Sequence, residues 1–344
     1  MKISIIIPCF NVEKYIDRCL DSVISQTFPL SDIEIICVDD HSEDSTYEKL
    51  LVWEKTYPDN FILVRLEINS GQSTARNIGL SYASGDYVAF LDSDDWIEEN
   101  YIESMYEKAA QEGSDIVQTE FIRDDGNICL NALSGSSSSS VNSETFDLSD
   151  VNTRKKVILD KKISSNAPFK LIKRSLLTEN NIFFYDGLKY EDISFGLLLS
   201  LYSKKLTLLH QKSYHYFINP NSTVLKKNQT YHIDIITGWS ILWADLSARG
   251  FMEEYKEELE IEFVYSCILI FWKCTILRFD TPPYSYYRLL CEFVKNTIPD
   301  LENNKYIKAG ILAEHHRLLL SGCYNILNNQ DFKKLCDSVV KIGL

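Results

Sequence analysis

The chain has no apolar stretch long enough to cross a bilayer. Its nearest approach, residues 265–277, is broken by Lys273 and stays short of the roughly eighteen residues a span requires. Positive charge is also scarce: 35 Lys plus Arg stand against 49 Asp plus Glu, for a formal net charge of -14. The deficit is concentrated in the first hundred residues, where 19 acidic side chains meet 7 basic ones. Such a region repels a nucleic-acid backbone and attracts a divalent cation, so nucleic acid is not an expected partner. The nine cysteines are odd in number and form no C-x-x-C pair, and Cys9, Cys19 and Cys37 lie inside apolar runs. That excludes a disulfide framework and favours buried thiols in a reducing compartment. The N-terminus has one Lys and then a strand-length apolar run, without the h-region and cleavage site of a signal peptide. A cytoplasmic protein is expected, with peripheral contact at the inner face of the membrane left open. The sequence lacks G-x-G-x-x-G after its first strand and lacks a P-loop, which removes the main support for a dinucleotide oxidoreductase or a P-loop NTPase. No repeat at solenoid periods is present.

What is present is an alternation. With 45% hydrophobic residues the chain can bury a generous core and a smaller second lobe. Over the first 120 residues, β-branched runs at 3–7, 34–38, 61–66 and 87–91 alternate with helix-period segments at 16–24, 46–55, 74–82 and 98–111. This pattern predicts an α/β fold with a mostly parallel central sheet. Residues 131–145, with a run of serines and no apolar periodicity, read as a flexible surface loop. A helix is expected over 193–201 and strands over 206–210 and 214–218. From residue 231 onward, helical spacing dominates. The expected organisation is a domain over 1–225 and a helical lobe over 226–344. Within that lobe, the nearly all-apolar run 265–272 is either a buried helix or a membrane-facing surface.

Polar clusters fall where the strands end, which is where open α/β sheets bind ligands. The first strand runs into Pro8-Cys9-Phe10-Asn11, the second into Asp39-Asp40-His41-Ser42, and the fourth into Asp92-Ser93-Asp94-Asp95. The third is followed by Gly71-Gln72-Ser73-Thr74-Ala75-Arg76-Asn77. Three aspartates within four residues repel one another unless a cation or hydrogen bonds offset their charge. Mg²⁺ or Mn²⁺ would take one or two carboxylates and complete its shell with diphosphate oxygens. The alternative is that these aspartates cap a helix starting near Ile97. The Asp39–Thr46 segment reads equally as an acidic turn with a helix cap and as a base-binding turn. Arg76 reads as a hand for a base or diphosphate, or as a solvated helix residue.

In their order, these motifs resemble the family-two glycosyltransferases, whose domain has the GT-A fold. Ser4-Ile5-Ile6-Ile7-Pro8-Cys9-Phe10-Asn11 is similar to the family's opening strand, and Val38-Asp39-Asp40-His41-Ser42 to its uracil-binding turn. Thr74-Ala75-Arg76-Asn77-Ile78-Gly79 and Phe90-Leu91-Asp92-Ser93-Asp94-Asp95-Trp96 are similar to its third and fourth signatures, and Tyr190-Glu191-Asp192 to the acidic pair of bacterial polysaccharide-assembly members. The resemblance implies nucleotide binding by Pro8, Asn11, Asp39, Asp40, Arg76 and Asp92. It implies a metal on Asp94, with Asp92 or His215 as further ligands, and Asp192 as catalytic base. Glu191 is expected to point away from Asp192, as a solvated or capping carboxylate.

Two departures stand out. His41 replaces a common Gly, at a position His tolerates with positive φ. Phe217 stands where many members carry an Arg after Tyr-x-Tyr, leaving Lys226 or Lys227 as the nearest cation in sequence. The implied reaction is inverting transfer from a nucleoside-diphosphate sugar, with UDP as the expected nucleotide, to a saccharide or lipid-linked acceptor, assisted by Mn²⁺ or Mg²⁺. The rivals are a sugar nucleotidyltransferase, whose basic glycine-rich loop is missing, and a non-enzymatic scaffold of the same fold.

Overall fold

The computed structural model describes residues 1–124, 142–219 and 226–342. Strands β1 (Ile3–Cys9) and β2 (Ile33–Asp39) are buried along their whole length. This is why they read as near-continuous apolar runs, broken only by Ser4 and Glu34 before the polar strand end, rather than alternating ones: both faces of a central parallel strand are covered. They pair in parallel with each other, and β3 (Phe61–Arg65) and β4 (Tyr87–Phe90) add in parallel at either side. Beyond β4 the sheet becomes mixed, in the order β3-β2-β1-β4-β8-β6-β9-β5, with β7 on β9. The later strands are β5 (Trp96–Ile97), β6 (Ile116–Asp124), β7 (Ser143–Asp147), β8 (Lys170–Lys173) and β9 (Lys205–Phe217).

Helix α1 (Ile16–Ile24) buries Ile16, Cys19, Leu20 and Val23, the i, i+3, i+4, i+7 stripe, in one core with Ile3, Ile5, Ile7 and Ile35. Helices α2 (Thr46–Thr56), α3 (Gln72–Tyr82) and α4 (Tyr101–Glu112) complete the first half. α3 approaches β1 so closely that a Cβ on Gly79 would lie 2.4 Å from Ile6 Cγ2. Only glycine fits there without repacking. β1 sits between β2 and β4, so the chain leaves the sheet centre in both directions and opens a crevice at its carboxyl edge. Register brings Cys9 opposite Asp39 and Ile6 opposite Phe90, so the polar tails of three strands converge.

Several expectations change. Residues 206–218 hold one continuous strand rather than two, because the polar stretch 210–213 is absorbed as an irregularity against β6 at Thr119–Phe121. Residues 143–145 are not loop: β7 pairs antiparallel with β9, which supplies backbone bonds that a polar edge strand cannot advertise by apolar periodicity. Residues 131–141 lie outside the described residues. α4 begins at Tyr101, and Trp96–Ile97 instead form a strand on β9. The aspartates at 92–95 therefore cap no helix.

Contacts divide the chain into two units. One comprises Met1–Val157, Ile163–Gly187 and Glu191–Pro220; the other comprises Ile158–Lys162, Leu188–Tyr190 and Asn221–Leu344. The first contains the sheet, together with most of α5 (Val151–Leu159), α6 (Arg174–Glu179) and α7 (Asp192–Tyr202). The second is helical: α8 (Asp234–Ala248), α9 (Phe251–Phe263), α10 (Ile270–Leu277), α11 (Tyr284–Thr297), α12 (Lys305–Lys308), α13 (Glu314–Tyr324) and α14 (Asn329–Ile342). Its core is aromatic, with Phe332 stacked on Tyr287 at 4.8 Å. A π-helical segment, Val264–Leu269, joins α9 to α10, and Val264, Cys267, Ile268, Phe271 and Trp272 are buried. Of the two readings of the apolar run, burial holds. Among the described residues no helix is long and apolar enough to cross a membrane, and the eight described cysteines are buried and free of disulfides.

Candidate active site

The site assembles from the carboxyl ends of β1, β2 and β4. Asn11, at φ 52°, accepts a hydrogen bond from Glu43 N on its side chain (2.9 Å), while its own backbone N donates to Ser42 Oγ (3.0 Å). Pro8 lies within β1, one residue before Cys9 meets Asp39. Asp39 is buried, 3.4 Å from Arg65 Nε. Asp40 takes the backbone N–H of Ser70 at 2.6 Å and of Gly71 at 2.8 Å, one on each carboxylate oxygen. Gly71, at φ +89°, turns the chain into α3 there. His41 adopts φ 61°, the left-handed geometry its place in the turn requires. Asp44 Oδ1 accepts Thr46 N at 3.0 Å at the start of α2, so the acidic turn does serve as a helix start.

Arg76 is the centre of the arrangement. Its side chain is 2% exposed, with Nη2 2.8 Å from Asp92 Oδ1 and Nη1 3.0 Å from Glu191 Oε1 and 3.2 Å from Asp192 Oδ1. Burial opposes its charge, but Asp92, Asp192 and Glu191 outweigh that and raise its pKa. Arg76 is therefore no solvated helix residue. Glu191 also departs from expectation: it shares Arg76 Nη1 with Asp192 instead of pointing elsewhere. Glu191, the residue before α7, already has helical backbone angles (φ -59°, ψ -27°), so facing directions do not keep the two neighbouring carboxylates from meeting one guanidinium nitrogen set between them.

The loop after β4 is tied from two sides. Tyr214, buried on β9, donates its hydroxyl to Asp95 Oδ2 at 2.5 Å and accepts Asp92 N at 3.3 Å. Phe217 N donates to Asp95 Oδ1 at 2.8 Å. Burial, followed by the Asp92 charge, pushes the Asp95 carboxyl up to about 9. Asp94 is raised as well, by burial and then Asp92, and Asn219 Nδ2 reaches its Oδ2 at 3.2 Å. Asp192 is pushed up to about 7, chiefly by burial, with Arg76 pulling the other way. Beneath it lies Lys170 on β8, fully buried, donating to Asn166 O and pulled down to about 7 by burial.

The loop preceding Asp192 is fastened to α3. Asn77 Nδ2 donates to Phe184 O (2.8 Å) while Asn77 Oδ1 accepts Phe184 N (3.0 Å), and Thr74 Oγ1 donates to Asp186 at 2.8 Å. Thus α3 brings the acidic pair to the strand-end cluster from more than a hundred residues away. His215 is engaged elsewhere: its ring stacks on Trp96 at 4.8 Å, with Nε2 2.7 Å from Glu98 and Nδ1 3.5 Å from Asp124.

Lys170, Tyr214 and the Glu191 contact were not singled out from the sequence. The signals present were a lone Lys inside the apolar run 167–172 and the first Tyr of Tyr-x-Tyr. As for a metal, no group of three or more His, Cys, Asp or Glu among the described residues converges to hold one unaided. The Asp92 and Asp94 carboxylates nevertheless fit a hard cation that draws most of its ligands from a diphosphate, since burial and the Asp92 charge raise the cost of ionising Asp94.

A family model described as "Glycosyl transferase family 2" matches residues 4–177, half of the chain. The chain belongs to glycosyl transferase family 2. Among its relatives, a poly(ribitol-phosphate) beta-glucosyltransferase of Bacillus spizizenii is 36% identical over 220 residues, 63% of this chain and 32% of that protein. The poly(ribitol-phosphate) beta-N-acetylglucosaminyltransferase TarS of Staphylococcus aureus is 29% identical over 273 residues, 77% of this chain and 44% of TarS. This chain thus spans less than half the length of these relatives. The crystal structure of S. aureus TarS 1–349 in complex with UDP superposes with a TM-score of 0.71 at 22% identity, covering 100% of this chain and 92% of that one. The likeness shows the GT-A fold, here with its helical C-terminal region. The family match stops at residue 177, so Glu191 and Asp192 stand on geometry.

Proposed function

We propose that this chain is an inverting, metal-dependent glycosyltransferase that moves a sugar from a UDP-sugar to a hydroxyl of a surface polymer, or of its lipid-linked precursor, in the cytoplasm. The observation that carries the proposal is the single guanidinium of Arg76 joining Asp92, at the strand edge, to Asp192, beside the crevice. Pro8, Asn11, Asp39 and Asp40 form the wall for uracil and ribose, with Asp92 at the ribose end and Arg76 supporting it from below. Asp94, with Asp92, would hold Mg²⁺ or Mn²⁺, which offsets charge developing on the leaving diphosphate. Asp192 takes the acceptor's proton as its oxygen attacks the anomeric carbon opposite the leaving group. A base poised near neutral pH suits that task. The catalytic work is assigned to the domain 1–225, and the lobe 226–344 is given no chemical step.

The relatives whose names specify an acceptor act on poly(ribitol-phosphate), so that polymer is the first acceptor to test, with UDP-glucose and UDP-N-acetylglucosamine as donors. Purified protein should release UDP, not pyrophosphate, in the presence of Mn²⁺ and lose this activity with chelator. NMR of the product should show the opposite anomer. Release of pyrophosphate would favour a nucleotidyltransferase, and no donor turnover with any metal would favour a scaffold.

A further inference from the structure

Two arginines reach the acidic loop 92–95. Arg76 already meets three carboxylates. Arg18, from α1, is differently placed: Nη2 donates to Asp94 O at 2.7 Å, and among the described residues this is its one hydrogen bond. Its Nε is buried without a partner. The guanidinium lies 3.8 Å from the centroid of the Trp96 ring and 4.9 Å from that of Phe217. Tyr15 packs against Phe217, with ring centroids 5.3 Å apart. Three aromatic side chains thus fix a half-buried cation against the loop that carries Asp94.

The Arg18 charge faces the Asp124, Asp95 and Asp94 carboxylates. A nucleoside diphosphate brings two or three further negative charges to a loop that already carries Asp92 and Asp94, and a single divalent ion does not offset that sum. Each arginine has a buried Nε without a partner, but Arg76 commits both Nη1 and Nη2 to carboxylates, whereas Arg18 commits Nη2 alone and keeps Nη1 uncommitted. Lys227, one of the two nearest lysines in sequence, is paired with Asp280 at 3.3 Å in the second unit. Phe217, where an Arg was expected, is the ring beneath Arg18. We propose that Arg18 is the diphosphate-binding cation of this chain, held in place by Trp96 and Phe217, and that it carries the charge position 217 lacks. This inference rests on the nucleoside-diphosphate donor proposed above.

The test is calorimetric titration with UDP, and with uridine as the uncharged control, in Mg²⁺. The proteins compared are the parent, Arg18→Lys, Arg18→Gln and Arg18→Gln/Phe217→Arg, each checked for an unchanged melting profile. Losing a charge-assisted contact should weaken UDP about tenfold to a hundredfold in Arg18→Gln and leave uridine unchanged. Arg18→Lys should fall between. The double variant, with a guanidinium returned to the same space, should recover most of the loss. Equal weakening of UDP and uridine, or no rescue by Phe217→Arg, would mean that Arg18 only braces the loop and would overturn the inference. A parent that binds uridine and UDP equally would overturn it too, with donor binding intact. A parent that binds neither removes the donor reading and this inference together.

Discussion

Replacing Arg76 by Met keeps much of its apolar volume and removes the group that, among the described residues, joins Asp92, Glu191 and Asp192. The side chain is 2% exposed, so solvent screens the loss weakly. Breaking a buried ion pair by deleting one partner costs about 3–5 kcal/mol, because the other charge is left uncompensated. Here the penalty has a pH signature. Without Arg76, which pulls the Asp192 pKa down, the folded-state pKa of Asp192 rises further above its unfolded value. A group raised in this way contributes its stability below the unfolded pKa and loses it as pH rises through the folded one. Asp192 already titrates at about 7 with Arg76 present, so the loss should still be growing above neutrality. Urea unfolding of Arg76→Met is therefore expected to show a deficit of about 3–5 kcal/mol at pH 8. At pH 4 this should shrink to about 1 kcal/mol, the contribution of the guanidinium over the Phe184 ring at 5.1 Å. Arg76→Lys, which keeps the charge but cannot span both sides with a planar fork, should lie between. A deficit equal at pH 4 and pH 8 would refute the electrostatic account and leave packing as the reason Arg76 is buried.

Four further outcomes follow from the same geometry. In the parent enzyme kcat should rise with pH through about 7 as Asp192 ionises, and Asp192→Asn should lower kcat roughly 10²- to 10⁴-fold without weakening UDP, whereas Asp94→Asn should weaken metal-dependent UDP binding. Near-normal turnover in Asp192→Asn would shift the base to Glu191, its neighbour on Arg76 Nη1. Tyr214→Phe leaves Asp92 N and Asp95 without their shared hydroxyl and should cost about 1–3 kcal/mol in urea unfolding; a cost below the error of the measurement would show that water replaces the hydroxyl.

The sequence by itself determined the elements and the family. Mostly apolar strands at 3–9 and 33–39, with a helical stripe between them, allow little but a covered parallel sheet. Aspartates and small polar residues at each strand end mark the edge where a ligand can sit. These signals are local, since period and turn chemistry are written within a dozen residues. Only the tertiary structure decided which charges meet. Nothing between Arg76 and Asp192 announces that one guanidinium binds both acidic neighbours, because Asn77 and Thr74 build that junction by holding the loop at 184–186. Likewise Arg18 reads as an ordinary polar-face residue of α1 until β5 and the end of β9 place Trp96 and Phe217 against it. The edge strand β7 was invisible for the same reason: its bonds come from β9, sixty residues away, and its own side chains carry no pattern. Local sequence fixes what each segment can become, while charge pairing across long separations depends on coordinates that only the folded chain possesses.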